Sequence, residues 1–135
     1  MFTSFRSHLV PFLKFIQSNF EVVVWSAGEA QYVYDRLTYC GIVSYVDYVL
    51  SREHCSVIGG NYIKNLNKLG RNLQNVVLLD DNFDSCLLNV QNCIPVKKFQ
   101  GYDDEELLQQ VVLLRKLLQY QTLVKGIEVQ IFSQK

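Results

Sequence analysis

Apolar and polar positions along this chain follow two rhythms, and each rhythm predicts an element. Leu9, Leu13, Ile16 and Phe20 lie on one face of a helix, with Ser7 placed to cap it and Pro11 tolerated near its first turn. The next run, "FEVVVWSAG", does not alternate, which predicts a strand buried on both sides and ended by small residues. "EAQYVYDRLTYCG" predicts a helix closing at Gly41. "YVDYVLS" alternates weakly and predicts a short strand, while "GGNYIKNLNKLGRN" has turn chemistry followed by a short helix or irregular segment. "VVLLDD" is a second doubly buried strand, and "CIPVKKF" a further short one. Asp103 or Asp104 can cap the next helix, whose apolar face is Leu107, Val111, Leu114 and Leu118 and whose positive N-terminal end suits Glu105 and Glu106. After Gly126, "IEVQIFS" alternates as a half-buried strand does. Strands separated by helices predict an α/β fold with a mostly parallel sheet.

Composition narrows the class. At 135 residues, 49% hydrophobic and 19% charged, the chain suits one domain with a real core. Basic and acidic residues balance at 13 each, so no net field draws it to nucleic acid or to a membrane surface. No apolar run approaches the roughly 20 residues of a membrane span, and no signal peptide opens the sequence. Cys40, Cys55, Cys86 and Cys93 are scattered without a C-x-x-C pair. They read as small, partly buried hydrophobes in an intracellular protein, cytoplasmic or nuclear, rather than as a disulfide framework or a zinc site.

Chemistry enters at the strand ends. In open α/β sheets ligands sit beyond the carboxyl ends of the strands, where this chain places Ser26 and the pair Asp80-Asp81. Carboxylate oxygens suit a hard cation such as Mg²⁺. The residues alone allow a blander reading: Asp80 caps a helix after its strand, Asp81 points to water, Ser26 merely ends a strand and Lys64 is a surface lysine.

Read together, "SREHC", "GNYIKNLNKLGRNL", "VVLLDDN" and "IPVKKFQGYDDEELL" closely resemble the carboxy-terminal-domain phosphatase family, also called NLI-interacting-factor-like, of the haloacid dehalogenase superfamily. The resemblance runs from about Phe5 to about Leu118. It implies a Rossmannoid, three-layer α/β domain occupying residues 1–135, and Mg²⁺-dependent removal of phosphate from phosphoserine or phosphothreonine in protein tails such as that of RNA polymerase II. It also implies roles. Ser26, where many relatives have Thr, would bind phosphoryl oxygen; Lys64 would neutralise phosphoryl charge; Asp80 would ligate Mg²⁺ with Asp81 beside it; Arg52 would contact the substrate phosphate. Phe83 stands where the family commonly has Pro, and Glu29 where it often has an apolar residue.

One part of the family pattern has no counterpart. The covalent nucleophile sits in an Asp-x-Asp-x-Thr motif on a central strand upstream of "FRSHL", and these 135 residues contain no Asp-x-Asp. The resemblance thus implies a domain truncated at its first central strand, whose neighbours "EVVVWS" and "VVLLDD" need something between them. A strand from another chain, direct pairing of the two neighbours, or the extra C-terminal strand in residues 126–135 would fill that place, the last within the chain or by exchange in a homodimer. Three functions are compatible with this: part of a phosphatase, inactive alone; a pseudophosphatase binding phosphorylated protein without cleaving it, as the family's mitochondrial presequence-translocase receptor acts through contacts; or an assembly piece recruiting a partner through its sheet edges.

Overall fold

A computed structural model of the chain describes residues 5–120 and the backbone of 128–131. Among these residues five parallel strands form the main sheet: β1 (Glu21–Trp25), β2 (Tyr48–Leu50), β5 (Val76–Asp80), β6 (Cys93–Pro95) and β7 (Glu128–Ile131), in the order β2-β1-β7-β5-β6. The remaining strands, β3 (Ser56–Ile58) and β4 (Asn61–Ile63), make an antiparallel hairpin. Among the described residues three helices accompany them: α1 (Leu9–Asn19), α2 (Ala30–Tyr39) and α3 (Glu106–Tyr120).

The doubly apolar runs become the interior strands. Val22 and Leu79 point into one core with Phe12, Leu13 and Ile16 of α1 and Leu107 and Leu114 of α3. Val24, on the same side of β1, packs on Val33 and Leu37 of α2. All three helices therefore cover one face. The opposite face collects Trp25, Val76 and Leu78 with Leu66 and Cys86, contributed by short 3-10 turns at Leu66–Leu69 and Phe83–Cys86. The three layers are helices, sheet and turns.

The place between β1 and β5 is taken by β7 of the same chain. Val22 and Val77 are both in register with Val129, and Val24 and Leu79 with Ile131. A strand paired on both edges satisfies backbone groups that would otherwise face each other across a gap. Among the described residues the outer strands, β2 and β6, are short. At one of them Pro95 lacks a donor, which blunts it.

Several local expectations are corrected. Ser7 does not cap α1; His8 holds that position at φ 67°, and the Ser7 hydroxyl donates to Asp103 Oδ1 at 3.1 Å and accepts from Asp104 N. Asp104 binds Arg6 through both carboxylate oxygens, and the Glu106 N–H also contributes to holding its carboxyl low. The residues before "NYIK" make a two-residue hairpin turn, with Gly59 at φ 58° and Gly60 at φ 81°, a conformation that suits glycine. Cys86 and Cys93 are disulfide-bonded rather than separate small hydrophobes, while Cys40 and Cys55 are free. No helix among the described residues is long and apolar enough to cross a membrane.

Candidate functional site

Two clusters form at the carboxyl edge of the sheet. The first begins where β1 stops. Ser26 is buried, its N–H bonds to Leu50 O, and its Oγ accepts from Gly28 N at 3.0 Å. Gly28 is buried in this tight turn. A Cβ there would lie 3.2 Å from Ser26 Oγ and 3.1 Å from the Tyr32 ring. Arg52 clasps the same turn from outside: its N–H donates to Gly28 O and its Nε to Ala27 O at 2.7 Å. Its guanidinium stacks 5.1 Å from the centre of the Tyr62 ring and lies 3.7 Å from the exposed Glu29 carboxylate.

The second cluster closes β5. Lys64 follows β4 and donates from Nζ to Asp80 Oδ2 at 2.9 Å, with both side chains almost wholly out of water, at 5% and 1% exposure. The other Asp80 oxygen accepts from Asn82 N at 2.8 Å. Lys64 itself is fixed by its N–H on Ser85 O, which ties the hairpin to the turn after β5. Burial is the largest influence on both charges: it draws Lys64 below its ordinary range and lifts Asp80 above its own, each partly held back by the other's charge. Half-buried Asp81 lies near enough to act on both.

Two strand spacings, about 10 Å, separate the ends of β1 and β5, because β7 runs between them. Cys55 feels charges of both clusters. Burial raises its thiol above the ordinary range, opposed by the neighbouring Trp25 indole and by the positive fields of Lys64 and Arg52. Of the residues singled out in the sequence, Lys64 and Asp80 touch, Asp81 adjoins them, and Ser26 and Arg52 share the other turn. The supports Gly28, Asn82 and Ser85 escaped notice. Only the Asp-Asp-Asn run, with Asn82 accepting from Asp84 N, carries a visible turn signal.

Among the described residues no group of three or more His, Cys, Asp or Glu converges on a point that would hold a metal. Asp80 and Asp81 nevertheless have the oxygen chemistry magnesium takes, and one or two carboxylates suffice for an ion that keeps most of its water. Both Asp80 oxygens already accept a hydrogen bond, from Lys64 and from Asn82, and its side chain is almost wholly out of water, so half-buried Asp81 is the carboxylate that would meet such a hydrated ion, with Asp80 behind it.

A parallel α/β sheet with a buried lysine–carboxylate pair at its carboxyl edge defines the class to which the comparison with other proteins also points. Residues 1–124 match the model of the NLI interacting factor-like phosphatases, and the chain belongs to that family. It is 36% identical to a probable C-terminal domain small phosphatase of Dictyostelium discoideum over 84% of this chain and 37% of that protein. Phosphatase Herzog of Drosophila melanogaster is 36% identical over 83% of the chain and 32% of its own length. The mitochondrial import inner membrane translocase subunit TIM50 of Candida albicans is 34% identical over 85% of the chain and 25% of its own. The chain thus spans only about a quarter to two-fifths of these relatives.

Proposed function

We propose that this chain is the phosphate-holding part of a protein phosphatase of its family, and that the 135 residues taken alone bind phosphoserine or phosphothreonine segments without hydrolysing them. The observation that carries this reading is the buried Lys64–Asp80 pair. Removing two charges from water costs several kcal/mol per ion, and apolar residues of similar size often serve stability as well or better. Strongly perturbed titratable groups concentrate at functional sites.

In this reading Lys64 turns part of its ammonium charge from Asp80 to a phosphoryl oxygen. The Ser26 hydroxyl, whose hydrogen is not used in its bond with Gly28, donates to a second oxygen. Arg52, half-buried at the rim, meets the phosphate from the solvent side, while the Tyr62 ring keeps its guanidinium oriented. A magnesium ion at Asp81, with Asp80 behind it, would neutralise phosphoryl charge. These residues bind and orient; none of them is the aspartate nucleophile of an Asp-x-Asp motif, which supports binding without turnover.

Titration calorimetry with a phosphoserine peptide and its unphosphorylated twin, with Mg²⁺, tests the reading. Preference for the phosphopeptide, reduced roughly tenfold or more by Lys64→Ala, is expected from the loss of a charged hydrogen bond. Equal affinity for the two peptides would end it.

A second reading is a module that holds a protein partner irrespective of phosphate. Val57, Ile58 and Tyr62 on the exposed hairpin favour it, since they present apolar surface beside Arg52. Phosphate-independent binding lost on Val57→Asp would support that reading.

A further inference from the structure

The disulfide lies against the turn that holds the buried charges. Cys86 ends the turn Phe83–Cys86 and is wholly buried with Trp25 and Leu78. Cys93 opens β6, is half-buried, and stands in register with Leu78, two residues before Asp80. The same turn supplies the Ser85 carbonyl to the Lys64 N–H at 3.0 Å, and is capped by Asn82, whose N–H holds Asp80. A covalent link from Cys86 to β6 therefore braces, against the sheet, the piece of backbone that positions both Lys64 and Asp80.

We propose that Cys86 and Cys93 form a reversible thiol–disulfide site that sets how firmly this turn holds Lys64 and Asp80. Their Cα atoms are 6.0 Å apart, within the span a disulfide bridges. The oxidant is a small-molecule disulfide such as oxidised glutathione. The Cys93 thiol, the more accessible of the two, loses its proton and attacks one glutathione sulfur; the glutathione S–S bond breaks and one glutathione thiolate leaves. The Cys86 thiolate then attacks the Cys93 sulfur of the mixed disulfide, forming the protein S–S bond and expelling the second glutathione thiolate. Two protein thiols are oxidised, one glutathione disulfide is reduced to two thiols, and the two protons pass from protein to glutathione. Excess glutathione thiol runs the sequence backward, entering at the accessible Cys93 sulfur and releasing Cys86. In the dithiol form the turn keeps only its hydrogen bonds and packing, and the cross-link restricts the conformations it can sample.

Any effect on phosphate affinity rests on the binding reading above; the redox chemistry and its hold on the turn do not. The test equilibrates the full chain with oxidised or reduced glutathione, reads thermal midpoint and amide exchange on each form, and counts free thiols on separate samples by alkylation in denaturant and mass. The oxidised form should carry two alkyl groups, on Cys40 and Cys55, and the reduced form four. Oxidation should raise the midpoint by roughly 5 °C and slow exchange of the Lys64 amide by about tenfold. The Cys86→Ser, Cys93→Ser double variant should lose every redox dependence, and Cys40→Ser should keep it. Four alkylated cysteines after oxidation, or Lys64 exchange that is the same in both forms, would overturn the proposal. A redox-dependent Lys64 amide in a chain that binds no phosphopeptide would uphold it while removing the phosphate reading.

Discussion

Single side chains carry the clearest consequences, and Lys64 is the first. Replacing it with Met leaves Asp80 buried without its cation, which costs about 3–5 kcal/mol for a broken buried pair. Adding Asp80→Asn should return at least about 2 kcal/mol, because the second change removes the stranded charge. Urea unfolding of both variants checks this; a double variant less stable than Lys64→Met alone would show that the pair does not act as a unit. Asp104 gives a pH signature. The Arg6 guanidinium holds its carboxyl below the ordinary value of 3.8. The stabilisation is therefore complete above pH 3.8 and lost as pH falls through the lower, folded-state value. Asp104→Asn should cost about 0.5–1 kcal/mol at pH 7, in keeping with a partly exposed pair. That difference should shrink as acid protonates the wild-type carboxylate. At this scale the sequence named the charged groups but not their supports. Ser85 works through its carbonyl and Gly28 through its lack of a side chain, and neither leaves a mark in a pattern of polar and apolar letters.

Elements were legible where an apolar rhythm was long. β1, β5 and the helices α1 to α3 fall within the runs that predicted them. The hairpin was not, because three-residue strands are too short to show alternation and the paired glycines read equally well as a loop. The cap of α1 failed for a tertiary reason: Arg6 and Ser7 are drawn to Asp104 and Asp103 across the domain, leaving His8 at the helix start. Two substitutions test the elements. Leu114→Ala removes a fully buried side chain between α3 and α1 and should cost about 2–5 kcal/mol by chemical denaturation. Gln130→Pro removes a donor from the middle of β7 and should destabilise the chain by at least about 2 kcal/mol more than Gln130→Ala. Equal stability of those two variants would contradict a strand paired on both edges.

Over the whole molecule, the order β2-β1-β7-β5-β6 explains why the two clusters share one edge yet close different strands. A C-terminal strand at the sheet's centre makes the ends of β1 and β5 next-but-one neighbours, with Cys55 feeling the charges of both clusters. Alternating apolar letters after Gly126 predicted the strand, and the family pattern offered the gap between the runs of β1 and β5 as its place; that it fills that gap within its own chain, rather than another filler or an exchanged strand, depends on long-range pairing that no local pattern encodes. The disulfide was equally hidden, since seven residues of separation say nothing until β6 lies beside β5. The central claim is that this edge, with its two clusters, receives a phosphoryl group. Backbone amide NMR during titration with a phosphoserine peptide tests it most directly. Shifts centred on Gly28, Lys64 and Asn82, absent with the unphosphorylated peptide, are the predicted result. Shifts confined to the helical face, or the same shifts with both peptides, would contradict it.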